Sequence, residues 1–221
     1  MIGNLLLIIS IVITIVAQIL IKVRYKKYSE VLNSKGLSGV EVAQEILKKN
    51  DIDDVYVVET RGYLSDHYDP GQKVVRLSSE VFHGKSISAV AIAAHEVGHA
   101  IQHHEGNVFI NLRKLIFPLV SIASKFGYIA ILIGLLFGML KIFYIGIIML
   151  FVILAFQLIT LPVEFDASKR ALVNLEKHNL LLKDEKDDAF KVLGAAALTY
   201  VAGLATTLLE IARLLIIARN D

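Results

Sequence analysis

The sequence has no cysteine in its 221 residues. Disulfides and thiolate metal sites are therefore excluded, and histidine and carboxylate remain as the strong ligands for a metal such as zinc. The absence also suits a reducing compartment. Neither sign of charge is in excess: 23 Lys and Arg face 21 Asp and Glu, a net charge of +2. The basic residues sit beside apolar runs and form no patch of the kind that holds nucleic acid, so nucleic acid is not an expected partner. The first apolar run has no basic segment ahead of it and no small-residue cleavage site behind it, which tells against a cleaved signal peptide.

What the chain has in quantity is apolar sequence. Hydrophobic residues make up 55% and the mean hydropathy is +0.61, too high for an ordinary soluble domain of this length. Ile2 to Ile21 carries no charge and is long enough to cross about 30 Å of hydrocarbon. Lys22, Arg24, Lys26 and Lys27 follow at once, and the positive-inside bias places that end in the cytoplasm. A second apolar stretch runs from Leu115 to Thr160, broken by Lys125 and Lys141. It reads as two spans turning near Lys141, with Gly127, Gly134, Gly138 and Gly146 suited to close helix packing. Arg113 and Lys114 precede this pair and Lys169 and Arg170 follow it, so it leaves and returns on the cytoplasmic side. Val192 to Leu209 is apolar again, either a fourth span or a buried helix covering the site.

Between the first two runs lies sequence of a soluble kind. Ser38 to Lys49 reads as an amphipathic helix capped by Ser38, with Lys48 and Lys49 at its C-terminal end. Asp54 to Glu59 and Lys73 to Ser78 read as strands. Tyr63 to Gln72 reads as a loop with Asp69-Pro70-Gly71 as its turn. An exposed edge strand here could hold an extended peptide by β-addition. Later in the chain, Ser168 to Asn179 reads as helix and Lys183 to Asp188 as an exposed charged loop.

The chemistry concentrates in Ala94-His95-Glu96-Val97-Gly98-His99-Ala100, an H-E-x-x-H run between Ser86, a helix N-cap, and Gly106, a helix stop. Residues four apart share a helix face, so His95 and His99 can reach one metal ion. Glu96 can lean towards a water at that ion and take its proton as a carbonyl is attacked. Burying such histidines among Ile92, Ala93, Val97 and Ile101 requires partners for them. A catalytic zinc usually has three protein ligands. The candidate for the third is Glu164, 65 positions after His99, where the apolar stretch gives way to charge. Asp166 is the competing carboxylate and, on a helix, points another way. An even number of spans between His99 and Glu164 puts them on the same side of a membrane.

Other residues near these invite roles. His67 and Tyr68 lie in a loop with Asp66 and Asp69, where a donor could serve the oxyanion of a tetrahedral intermediate, although bonding within the loop is the more ordinary use. Tyr200 is a further candidate for a transition-state donor. His103 falls four residues beyond His99, but as a ligand it would have to reach back along the axis. His83 and His178 read as surface residues.

The H-E-x-x-H helix, the two spans and the Glu164-Phe165-Asp166-Ala167 segment resemble the integral-membrane zinc metallopeptidases of the HtpX and CAAX-prenyl-protease type. Gly62 to Pro70, Val74 to Ser78 and Ala94 to Gln102 resemble more closely the small YugP-like membrane zinc peptidases of bacteria. That resemblance implies His95, His99 and Glu164 as ligands of one Zn²⁺ ion, Glu96 as the base, and protein or peptide substrates close to a lipid bilayer. The broader group has aspartate where this chain has Ser168, and that aspartate orients a ligand histidine. Either Asp166 has taken over that task here or no such partner exists.

The expected fold is a mainly α, multi-pass cell-membrane protein. It has three or four transmembrane helices and a small α+β zinc-peptidase portion of gluzincin-like type facing the cytoplasm. The expected segments are an anchor at 1–27, a cytoplasmic part at 28–114, a transmembrane hairpin at 115–161, and the third-ligand segment with a C-terminal apolar helix at 162–221. The expected activity is hydrolysis of peptide bonds in membrane or misfolded proteins. The alternative is a membrane-anchored metal-binding scaffold that holds clients without cutting them. A transporter is disfavoured because the ionisable cluster lies outside the spans. The charge pattern makes a direct prediction: a topology reporter fused after Lys27 reads cytoplasmic and one inserted near Lys141 reads external. The reverse pattern would overturn the orientation.

Overall fold

The computed structural model describes residues 2–220; Met1 and Asp221, the outer limits of the expected segments, lie outside them. In chain order the elements are α1 (Ile2–Ser29), α2 (Gly39–Lys49), β1 (Tyr56–Thr60), β2 (His67–Asp69), β3 (Val74–Ser78), α3 (Ser79–Phe82), α4 (Ile87–His104), α5 (Val108–Leu136), α6 (Leu140–Lys177) and α7 (Lys183–Asn220). Within hydrocarbon a backbone must satisfy its own hydrogen bonds. The apolar runs accordingly form helices, and four of them, α1, α5, α6 and α7, are long and apolar enough to cross a membrane. The chain groups into two compact units, and the long helices pass from one to the other.

The first unit comprises residues up to 18, 111–162 and 198 onward. Its core is Ile131, Phe143, Ile147, Leu150, Leu154, Ile211 and Leu214. Leu132, Ile145 and Ile148 point outward, about half exposed or more, as lipid-facing side chains do. The α5–α6 hairpin is tight because Gly134 has no side chain: a Cβ there would lie 2.6 Å from the backbone of Phe143. Gly138, expected to join it as a packing residue, sits instead in the turn at φ +64 with open space around it. The turn therefore falls at 137–139, and Lys141 lies in the first turn of α6.

The second unit comprises residues 19–110 and 163–197. Its three strands lie in the order β1-β3-β2, with β1 parallel and β2 antiparallel to β3. The short β2 falls inside the stretch expected to be all loop. His67, Tyr68 and Asp69 pair with Arg76, Val75 and Val74, so the sheet has three strands and not two. The expected turn is present, with Asp69 Oδ1 accepting from the backbone N–H groups of Gly71 and Gln72. Val75 and Leu77 are fully buried and pack with Val42, Ile46, Val90, Ala94 and Val97. That set joins the inner faces of α2 and α4 to the sheet.

Local signals set the helix limits. Ser38 and Glu41 form a reciprocal capping box at α2, the arrangement that satisfies two otherwise unpaired N–H groups. The charged run from Lys183 differs from expectation: it is the first turn of α7 and not a loop. Glu185 is buried and accepts from the N–H groups of Leu182 at 2.8 Å and Ser34 at 2.6 Å. A carboxylate at a helix N-terminus also suits the helix dipole.

Candidate metal centre

Helix α4 begins at Ser86, whose Oγ accepts from Ala89 N at 3.1 Å, and ends before Gly106, at φ +69. Its sides are lined with small residues, and Ala91, Ala93, Ala94 and Ala100 are all buried. Small residues let a second helix come close. A close approach falls at Gly98, where a Cβ would lie 2.6 Å from the carbonyl oxygen of Ala167 on α6. That is well inside contact distance, so only glycine fits. Ala167 is itself fully buried. Glu164 and Ser168 lie on either side of it along α6, and the crossing carries both to the histidines of α4.

Glu164 Oε2 lies 3.4 Å from His95 Nε2 and 3.5 Å from His99 Nε2. A tetrahedral ion bound at 2.0–2.1 Å holds its ligand atoms roughly 3.3–3.4 Å apart. Two imidazoles and one carboxylate thus fit zinc both in donor type and in spacing. The side chains are 14%, 11% and 3% exposed for His95, His99 and Glu164, so the cluster is largely withdrawn from solvent. Among the described residues it is the group of histidine and carboxylate ligand atoms placed to hold a metal. Asp166, the competing carboxylate, is outside it. Glu96 is buried beside the cluster and is not one of its members. Burial opposes a charge on His99, but the carboxylates of Glu164 and Glu96 outweigh it, so its pKa is raised.

Behind the histidines lies a polar chain that the sequence did not announce. Gln102 is fully buried, and its Nε2 donates to Val163 O and to Asp166 Oδ2, both at 2.8 Å. With the NH₂ committed to two acceptors, its Oε1 must face His99 Nδ1, 3.0 Å away. Oε1 can only accept, so Nδ1 carries the proton and Nε2 presents its lone pair to the ligand cluster. Asp166 is held in turn by Arg170 Nε at 2.7 Å, and Arg170 reaches Glu105 at 2.8 Å. The second histidine is served differently: Ser168 Oγ lies 3.2 Å from His95 Nδ1.

Beside the histidines the two positions divide the contacts. Ser168 itself touches His95, and Asp166 acts on the other histidine through Gln102. The signal for Gln102 was available, since it is polar, lies three residues after His99 and so shares its helix face.

The remaining residues are more dispersed. His67 is exposed, and its Nδ1 is 2.8 Å from Ser65 O, a bond within its own loop. Tyr68 on β2 hydrogen-bonds His103 Nδ1 at 2.8 Å, which ties the edge strand to α4 one turn past His99. Burial pushes the Tyr68 hydroxyl up to about 12, so it stays protonated. His83 pairs with Glu59 at the surface. Tyr200 belongs to the first unit, whereas the ligand cluster belongs to the second.

A family described as "Putative neutral zinc metallopeptidase" matches residues 4–219, and the chain belongs to that family. Within the curated proteins it is similar to the "Putative membrane protease YugP" of Bacillus subtilis (strain 168), with 46% identity over 204 residues. The match covers 92% of this chain and 91% of that protein. No solved structure matches the chain.

The helix crossing can be tested apart from the ligands. Gly98→Ala must push α6 away from α4 by several tenths of an ångström, an overpacking change that typically costs about 1–3 kcal/mol. Zinc affinity, measured by competition with a chelator, is expected to fall at least about tenfold while the circular-dichroism helix signal is retained. Wild-type affinity in this variant would show that the crossing does not set the site.

Proposed function

We propose that the chain is a membrane-integrated, gluzincin-like zinc endopeptidase that cuts membrane or misfolded proteins at the cytoplasmic membrane surface. The observation that carries this reading is the ligand cluster of His95, His99 and Glu164 with the buried Glu96 beside it and outside it. These three residues would hold one Zn²⁺ ion. A bound zinc supplies Lewis-acid polarisation of a carbonyl and lowers the pKa of a water. Glu96 takes the proton of the attacking water and returns it to the amine nitrogen as the C–N bond breaks. Gln102 and Ser168 keep the two imidazoles in the orientation that directs Nε2 to the ligand cluster.

Substrate placement is supported by the sheet. Strand β2 lies at its edge, paired with β3 on one side, and is tied to α4 through Tyr68 and His103. An extended substrate segment adding to β2 would lie along the helix that carries the base. The cytoplasmic orientation rests on the basic residues that follow the first run and flank the hairpin. A metal-binding scaffold without activity is the weaker reading, because a structural zinc has no use for an unligated carboxylate at position 96. The family's description and the name of the Bacillus relative point the same way.

Two experiments test the roles. Glu96→Gln keeps the side-chain shape and cannot take a proton. It is expected to abolish cleavage of an unfolded test protein while zinc content stays near one ion per chain by metal analysis. Full activity in this variant would remove Glu96 from the mechanism. For the ligands, Glu164→Ala is expected to lose metal and activity together. Asp166→Ala should weaken zinc binding by only about 10–100-fold, so that added zinc restores part of the activity. A Glu164→Ala protein that keeps its zinc, beside an Asp166→Ala protein that loses it, would move the ligand to Asp166.

A further inference from the structure

The loop between β1 and β2, residues 61–66, holds apolar side chains that the chemistry above does not use. Tyr63 is 58% and Leu64 39% exposed. The backbone of Leu64 lies at φ +52, a left-handed conformation uncommon for a residue with a side chain. The loop is nonetheless well anchored. Asp66 Oδ1 accepts from Ser78 N at 2.7 Å, and Ser65 Oγ donates to the carbonyls of Arg61 and Gly62. The ring of Tyr63 meets that of Tyr25 edge-on, with centroids 5.4 Å apart. Tyr25 is buried, and its hydroxyl donates to Glu80 Oε2 at 3.0 Å.

Tyr25 gives this loop a depth. The charge-free run of α1 ends at Ile21, and four residues at 1.5 Å each put Tyr25 about 6 Å beyond it. The headgroup region adds roughly 5–8 Å to each side of the hydrocarbon. Tyr25 therefore falls within the headgroup layer, tilt of the helix only shortens the distance, and Tyr63 is one ring contact away. Ile19 and Val23, both more than half exposed, carry lipid-facing surface up to that level. Lys22, Arg24, Lys26 and Lys27 surround it, and Arg61 opens the loop; an anionic leaflet attracts such charges. Tyrosine, apolar in its ring and polar at its tip, is a residue that concentrates at this boundary.

We infer that residues 61–66 form an interfacial lip, with Tyr63 and Leu64 seated in the headgroup layer of the leaflet from which α1 emerges. The partner is the bilayer itself, and the inference rests on α1 being a membrane span. Strand β2 begins at His67, three residues after Leu64, so the lip holds that edge strand at the membrane surface.

The chain has no tryptophan, so a single introduced indole reports one position without background. The full chain carrying Tyr63→Trp is placed in nanodiscs of phosphatidylcholine and phosphatidylglycerol, with or without bromine high on the acyl chains. Ile15→Trp, at an exposed position inside the span, is the lipid reference. Tyr56→Trp, exposed at the far end of β1 and roughly 13 Å along the strand from Thr60, is the reference outside it. Bromine is expected to quench the Tyr63→Trp indole at least about half as strongly as the Ile15→Trp indole, and to leave the Tyr56→Trp indole unchanged. Leu64→Trp repeats the reading without altering the Tyr63–Tyr25 contact.

If the indoles at 63 and 64 behave like the one at 56, the lip is overturned and the span stands. If bromine does not quench the Ile15→Trp indole, the span itself fails and the lip with it. Indoles at 63 and 64 shielded from both bromine and aqueous acrylamide would show a protein cover in place of lipid, and would also overturn the proposal.

Discussion

The candidate metal centre depends on one backbone contact. Gly98 lets α4 and α6 approach until the carbonyl of Ala167 occupies the space a side chain would fill. A side chain at position 98 would collide with that carbonyl, so glycine is what permits the distance. Once the helices touch there, helical spacing fixes the rest. His95 and His99 stand three residues before and one after Gly98, and Glu164 and Ser168 stand three before and one after Ala167. The two segments present these side chains with the same offset from the crossing point, so one close approach brings all of them together. Packing around it leaves little slack, because Ala94, Val97, Ala171 and Leu175 are all buried in the same core.

A buried ligand cluster needs its other polar atoms satisfied, since an unpaired buried donor or acceptor costs about 1–3 kcal/mol. The chain from His99 through Gln102 and Asp166 to Arg170 meets that need and orients the ring at the same time. A glutamine is well suited to the middle position because it donates from one atom and accepts at another. Asp166 and the Val163 carbonyl fix which end does which. A protonated carboxyl at 102 could donate only once, and an apolar residue would leave His99 Nδ1 and the Val163 carbonyl with one partner fewer. Ser168 is a weaker device than a charged partner. It leaves His95 Nδ1 a neutral hydroxyl as neighbour and adds no further negative charge next to Glu164 and Glu96.

The candidate site was legible in the sequence because its residues obey short-range rules. His95, Glu96 and His99 are visible as spacing on one helix. Glu164 was visible at the point where apolar sequence yields to charge, with an even number of spans between. The helix ends at Ser38, Ser86 and Gly106 were equally local. What escaped notice depended on contacts distant in sequence. Nothing in the local pattern says that Gly98 will meet Ala167. The helical start of α7 was hidden because a run of charges looks solvated, and one of the two N–H groups that Glu185 accepts from belongs to Ser34, far away in sequence. Strand β2 is three residues long and pairs without any hydrophobic alternation of its own, so its register comes from β3. Gly138 was misread for a related reason: turn glycines and packing glycines look alike until a φ angle separates them.

The same geometry would couple a bound metal to a proton. Glu164 and Glu96 sit against a largely buried His99, and together they raise its pKa despite the burial that opposes it. A proton and a metal ion would therefore compete for that imidazole. A metal ion requires the neutral imidazole and must displace that proton. The sign follows: a raised pKa extends proton competition upward in pH, so acid favours the metal-free form. Gln102 adds to this effect, because its Oε1 accepts from Nδ1–H in the charged ring as well. By accepting from Nδ1 it favours the tautomer that leaves Nε2 free, and its constraint persists whether or not the ion is bound. The carboxylates thus supply affinity for positive charge in general, and the buried amide fixes the orientation in which Nε2 would meet it.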